Sequence, residues 1–449
     1  MYRREFFGLI KLAAPLVVAQ VAQNTLSFID TLMVGRLGNE SLAGIALGAT
    51  VFHFVLIVLS GVIFGVNPVV SQAIGAGERD KAVETLRQGL LIGALLFLPA
   101  LIFYWNSYPV MIALGQDPDT ASASSEYLKA ISWGLLPALL MMALRGFLEG
   151  NSNTMPIMVV SILGIGANIV LNYALMFGKF GFPELGLVGT GYASSIVYSC
   201  GFLLIVSYVF LKYSDDQIFI RIWKPNFAMI GELFRVGGPI GLTLGFEMGM
   251  FSAAAITMGT LSATELAAHQ IALQTASTSF MIPLGIAIAT SVRVGQAVGA
   301  NEIDRAEVAG YTGMITCCVV MSCFAFLFWI VPKSIISIYL DTSDLENMAV
   351  IEFAFGFLAI AALFQIVDGL QVAASNCLRG LKDTTAAMYL TLISYWVIGV
   401  PTGAILCFIF DLRGNGLWLG MTVGLAAAAV LLTARFRQQI GQRLAKGKR

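Results

Sequence analysis

Twelve long apolar stretches follow one another along this chain. They fall at roughly residues 10–34, 42–68, 88–106, 128–148, 156–177, 187–211, 234–258, 267–291, 308–331, 352–378, 386–410 and 416–434. Each can carry about 20 helical residues across a hydrocarbon layer about 30 Å thick. A helix closes every backbone hydrogen bond within its own segment, which lipid demands. The expectation is therefore an all-α integral membrane protein with about 12 transmembrane helices. Composition agrees, with 58% hydrophobic and only 12% charged residues, where a soluble domain carries about 25% charged. The net charge is zero, so no bulk field points to nucleic acid as a partner. The opening MYRREFFGLIKLAAPLV runs into the first stretch without a small-residue cleavage site, as a first span does and a removable signal peptide does not. Cys200, Cys317, Cys318, Cys323, Cys377 and Cys407 all lie in apolar runs without metal-site spacing, and are expected to be small buried hydrophobes.

Lysine and arginine give the orientation. Of the 26, 21 fall on the side that holds both termini, the 212–232 linker and the loops near Arg79, Arg145, Arg293 and Arg379. Five fall on the other side: Arg36, Lys129, Lys179, Lys333 and Arg413. The excess of positive charge marks the cytoplasmic face, so both termini of this multi-pass protein are expected in the cytoplasm.

A shift of 224 residues lays the second half on the first. Pro15 meets Pro239, Gly61 meets Gly285, and SQAIGAGERDKA (71–82) meets GQAVGANEIDRA (295–306) with seven of twelve positions identical. After a few inserted residues, LEGNSNT (148–154) meets LRGLKDT (378–384). The copies are six helices apart, so they enter the membrane in the same direction. This parallel repeat predicts two pseudo-symmetric six-helix lobes, 1–218 and 219–449, with a substrate cavity between them and alternating access by lobe movement.

Among the 26 acids, Asp30, Glu247 and Asp368 stand inside apolar spans rather than at helix ends or in loops. An ionised group there costs about 2.5–3.5 kcal/mol, and no Lys or Arg stands mid-helix beside these three. Protonation, a bound cation or a water-filled cavity would relieve that cost. Glu247 lies at the centre of the seventh span with Thr243, Leu244, Met250 and Phe251 one turn away. An acid beside sulfur and an aromatic face suits a lipophilic cation. Asp368 lies in the tenth span with Phe364 and Gln365 one turn before it. Both belong to the second half, where one shared site can hold a coupling cation; with Na+ as that ion, Glu247 and Asp368 would be its ligands. Asp30 lies toward the outer end of the first span and either faces interfacial water or pairs with Asn168 and Asn172. Those asparagines share one face of the fifth span, and interhelical asparagine bonds also serve as plain membrane glue. His53 and His269 are expected to be hydrogen-bonded packing groups, and Glu265, beside an external loop, to be solvated.

The segments FIDTLMVGRLG (28–38), SQAIGAG (71–77), LRGFLEGNSNT (144–154), NIVLNYALMFGKFGFPELGLVGTGYA (168–193), ELAAHQIAL (265–273), GQAVGAN (295–301) and VDGLQVAASNCLRGLKDT (367–384) resemble the MATE family, multidrug and toxic compound extrusion, and most of all its bacterial NorM-like branch. The resemblance runs over nearly the whole chain in order. It implies two six-helix bundles in a V, in the cell inner (plasma) membrane, that exchange small-molecule organic cations for Na+ or H+, with no cofactor besides that coupling ion. A monomer in contact with membrane lipid is expected. In this pattern acids in helices 7 and 10 form the cation site, and Glu247 and Asp368 match them. An acid in helix 1 and asparagines in helix 5 are matched by Asp30, Asn168 and Asn172. Well-known members carry a tyrosine one turn before the helix 10 acid. Phe364 stands there in this chain, which weakens a Na+ ligand and favours H+.

Two other functions compete. A lipid-linked precursor flippase of the same superfamily would place basic residues in its cavity, but here the mid-membrane charges are acidic. A membrane-embedded enzyme would need a metal or nucleophile constellation such as HExxH, and the sequence has none. Nor does any stretch stand out as a channel filter. The chain thus reads as a cation-coupled antiporter rather than an enzyme.

Overall fold

The computed structural model describes residues 2–34, 39–342 and 344–447. Arg36, Lys448, Arg449 and residues 35–38 of the first motif lie outside the described residues. Among the described residues, twelve helices are long and apolar enough to cross a membrane. The first six are α1 (Tyr2–Val34), α2 (Ala46–Gly75), α3 (Arg79–Trp105), α4 (Pro118–Gly150), α5 (Met155–Met176) and α6 (Gly186–Lys212). The second six are α7 (Phe227–Leu261), α8 (Ala263–Gly299), α9 (Ile303–Ile330), α10 (Leu345–Gly380), α11 (Thr384–Ile409) and α12 (Arg413–Ala445). Most run past the apolar stretches that announce them, because a helix need not stop where the hydrocarbon does. α4 starts at Pro118, well before Leu128, because the Asp117 carboxylate caps it and accepts from the amides of Asp119 and Thr120. Ser262 caps α8 in the same way, its hydroxyl accepting from the Glu265 amide at 3.0 Å.

The chain packs as two compact units. One is Val18–Gly241; the other joins Met1–Val17 to Leu242–Arg449. The divisions fall inside α1 and α7, two residues after Pro15 and Pro239, the prolines within those helices. The two division points are themselves related by the 224-residue shift. Inside the first unit α4 is the hub, packing on α2, α3 and α6. Inside the second α10 plays that part against α8, α9 and α12, which are the repeat partners of the same three helices. The repeat reaches the backbone as well. Gly77 and Asn301 take positive φ at matching positions (75° and 59°), and so do Ser152 and Lys382 (57° and 59°).

Close helix crossings obey the same relation. In the first unit Gly61 of α2 meets Gly241 of α7, backbone against backbone, so that a methyl on either would collide. In the second, Gly285 of α8 meets Val17 of α1. Gly61 corresponds to Gly285 in the repeat, and Val17 to Gly241. Small residues at such crossings let helices approach closely, which is how packing is won where lipid offers no hydrophobic contrast.

The opening of α1 is tied into the second unit by charge. Glu5 is buried and accepts hydrogen bonds from Arg293 Nε at 2.8 Å, Arg293 Nη2 at 2.5 Å and Arg305 Nε at 3.0 Å. Large apolar side chains such as Leu203, Ile256, Phe326 and Val430 point outward, as they must on a surface bathed in lipid. The cysteines depart from expectation. Cys317, Cys377 and Cys407 are buried, but Cys200 and Cys323 are exposed, because an outward helix face in lipid accepts a small apolar thiol as readily as a core does.

Candidate functional site

The sequence-predicted residues form two groups, one in each unit. In the unit Val18–Gly241, Asp30 of α1 faces α5. Its Oδ1 accepts from Asn168 Nδ2 at 3.0 Å and from Asn172 Nδ2 at 2.6 Å. Asn172 also donates to Asn168 Oδ1 at 3.2 Å, and both asparagines are fully buried. The i, i+4 spacing on α5 places both amides on one face, so a single carboxylate oxygen collects both donors. His53, Tyr127 and Tyr198 all interact electrostatically with Asp30. This pocket is therefore an acid held by neutral amides and ringed by phenols.

The same unit holds a second polar cluster, which the sequence reading missed. Glu149, near the end of α4, is buried. It accepts from Arg145 Nε at 2.7 Å and from Asn67 Nδ2 at 2.7 Å. Arg145 in turn donates from Nη2 to Gln20 at 2.5 Å and from Nη1 to Gln23 at 3.1 Å. This ion pair is internally satisfied, as buried charges must be. The Arg145 and Glu149 i, i+4 pair was the available sign.

In the unit that contains Leu242–Arg449, Glu247 of α7 is half-buried and Asp368 of α10 is only 5% exposed. The two carboxyls are close enough to couple electrostatically. Neither forms an ion pair among the described residues; Arg379, in the last turn of α10, acts on Glu247 through space. Asp368 Oδ1 has no hydrogen-bond partner among the described residues. Gln365 is fully buried and donates to Ser279 Oγ of α8 at 2.5 Å, while its own carbonyl oxygen is left over. Phe364 lies edge-on to Trp418 of α12 (5.5 Å between ring centroids) and to Phe251 of α7 (6.1 Å). Phe364 and Met250 are buried, and Phe251 is partly open. Two carboxylates with neutral oxygens nearby are a hard donor set, able to take a proton or a small hard cation.

Three expectations change. Glu265 is not solvated: it is completely buried, and it accepts from Arg413 Nε at 2.7 Å and from the Gly414 amide at 3.0 Å. The start of α12 supplies both donors, which proximity to a loop did not reveal. His269 is buried edge-on to Trp418 (5.6 Å), but neither ring nitrogen finds a partner among the described residues, so its packing is aromatic rather than hydrogen-bonded. His53 does make the expected kind of bond, Nδ1 to the Ala49 carbonyl at 2.8 Å, but its side chain is exposed.

The MatE family model matches residues 15–174 and again 239–405, once in each half of the repeat. The chain belongs to the MATE family. Curated relatives agree. A probable multidrug resistance protein NorM of Brucella suis is 36% identical over 441 residues, covering 97% of this chain and 94% of that one. Its counterpart of the same name in Pseudomonas aeruginosa is 37% identical over 444 residues, covering 98% and 91%. The NorM-like branch is thus the right part of the MATE family. The crystal structure of the eukaryotic MATE transporter AtDTX14 superposes with a TM-score of 0.85 over 99% of both chains, at 24% identity. MATE proteins carry two six-helix repeats, and the hub helices α4 and α10 are how this chain builds them.

Proposed function

We propose that this protein is a multidrug efflux antiporter, exporting small, mostly lipophilic organic cations by alternating access in exchange for Na+ or H+. One observation carries the reading: Glu247 and Asp368 are electrostatically coupled acids inside two spanning helices, without an ion pair among the described residues, in a region where an unneutralised charge is costly. A proton, a Na+ ion or a cationic drug each relieves that cost, so ion and drug compete for the same carboxylates, and exchange follows from charge balance. Phe251, beside them, offers an aromatic face to a cation. Asp30 with Asn168 and Asn172 is a second cation-responsive pocket in the other unit.

Several further properties go with the reading. The names of the NorM relatives favour drugs as cargo. The family resemblance favours the inner membrane, and the excess of Lys and Arg favours a cytoplasmic place for both termini. A monomer, embedded in lipid, holds everything the exchange needs. The experiment is dye efflux from proteoliposomes, with Na+ and pH gradients imposed separately. Efflux that follows one of the two gradients is expected; efflux indifferent to both would reject ion coupling.

A further inference from the structure

Among the described residues, α11 is the spanning helix that carries π-helical turns, Ile393–Gly399 and Ile405–Ile409. A π turn takes an extra residue into the helix, re-aims the side chains around it, and occurs frequently at functional sites. The first of these turns is held from two sides. On α7, Trp396 Nε1 donates to the Phe246 carbonyl at 3.2 Å, and its ring lies against Gly249, where a methyl would come within 2.9 Å of it. Both contacts flank Glu247. On the other side Gly399 lies against the Gly424 backbone of α12.

Tyr395 precedes Trp396 in this turn. It is completely buried, and its hydroxyl finds no hydrogen-bond partner among the described residues. A buried polar atom left in that state is destabilising, so its presence calls for a role. The phenol interacts electrostatically with both Glu247 and Asp368. Arg379 is the cation that acts on Glu247. α12 brings no charged side chain between Arg413 and Arg435, and α11 none between Asp383 and Asp411. The carboxyls that act on this hydroxyl are those of Glu247, on the stretch of α7 that holds Trp396, and of Asp368 on α10.

We propose that Tyr395 is the neutral oxygen of the Glu247–Asp368 site, its hydroxyl joining the two carboxyls around the exchanged monovalent cation. The inference rests on the coupling role proposed above for those acids. For Na+, the phenol oxygen is a further hard ligand. For H+, the hydroxyl donates to whichever carboxylate is left ionised. The π turn is what brings the hydroxyl there: Trp396 and Gly399 hold the backbone of the turn, and the Tyr395 side chain just before Trp396 is buried rather than turned to lipid.

The test is Tyr395→Phe in proteoliposomes, with efflux measured over a series of Na+ concentrations and pH values, beside Glu247→Gln and Asp368→Asn. Phenylalanine fills the same space, and the lost hydroxyl has no protein partner, so thermal unfolding should match wild type. The half-maximal concentration of the coupling ion should shift by about tenfold, the usual scale for a hydrogen bond to a charged group. The maximal rate at saturating ion should change little. An unshifted midpoint, with both acid variants inactive, would overturn the role of Tyr395 alone. Coupled efflux retained in both acid variants would overturn the site itself and this inference with it. A lowered unfolding temperature in Tyr395→Phe would make the hydroxyl structural and would also overturn the proposal.

Discussion

At the scale of single residues, burial decides what an acid is for. Glu265 has two donors that satisfy it, Arg413 and the Gly414 amide, so it is a structural clasp between the starts of α8 and α12. Arg413→Ala should cost about 2 kcal/mol, the scale of hydrogen bonds to a charged group. The cost stays below that of a fully buried pair, because Arg413 is half exposed and water can partly replace it. A lower unfolding temperature in detergent, with ion coupling intact in the variant, is the expected result; an unchanged unfolding temperature would show the clasp to be idle. Glu247 and Asp368 were legible in the sequence because no other charged residue stands within two turns of either in its span. Glu265, Glu149 and Glu5 were not. Each stands near a helix end, where an acid is normally solvated, and is buried only because an arginine reaches it: Arg413, Arg145 or Arg293. Two of those three arginines are far away in sequence. Tyr395 left no trace at all, since one tyrosine in an apolar helix is ordinary and a π turn has no pattern in the residues.

At the scale of helices, the repeat makes a paired prediction. Gly61 and Gly285 are repeat partners, and each is pressed against another helix, at Gly241 and Val17 respectively. Gly61→Leu and Gly285→Leu should therefore each destabilise the protein, by about 1–3 kcal/mol or more, as overpacking does. Gly166→Ala and Gly231→Ala, where open space surrounds the position, should be silent. Unfolding temperatures for the four variants decide this; a silent Gly61→Leu would mean that the crossing of α2 and α7 yields freely. The sequence placed all twelve spans and the matching of Pro15 with Pro239. The exchange of helix openings it could not place. The 1–218 and 219–449 lobes follow chain order, whereas the compact units divide at Val17 and Gly241, because the opening of each repeat's first helix packs with the other repeat's helices.

At the scale of the whole molecule, orientation and coupling belong together, since a gradient drives export only if the protein faces the right way. Cysteine at position 215, in the linker between α6 and α7, should be protected from an impermeant maleimide in intact cells. Cysteine at position 119, at the start of α4, should be labelled. Both belong in a background whose six native cysteines are replaced. The reverse pattern would invert the topology. The proposed function then turns on exchange. Inward movement of one monovalent cation down a 100 mV potential supplies about 2.3 kcal/mol. For a monovalent drug exchanged one for one, that electrical term cancels, and the chemical gradient of the ion must drive export. The measurement that tests this most directly is gradient-driven efflux by Glu247→Gln and Asp368→Asn in proteoliposomes, with drug binding followed in parallel. Loss of coupled efflux in both, with folded protein recovered, is the predicted result; coupled efflux retained in both would place the exchange site elsewhere.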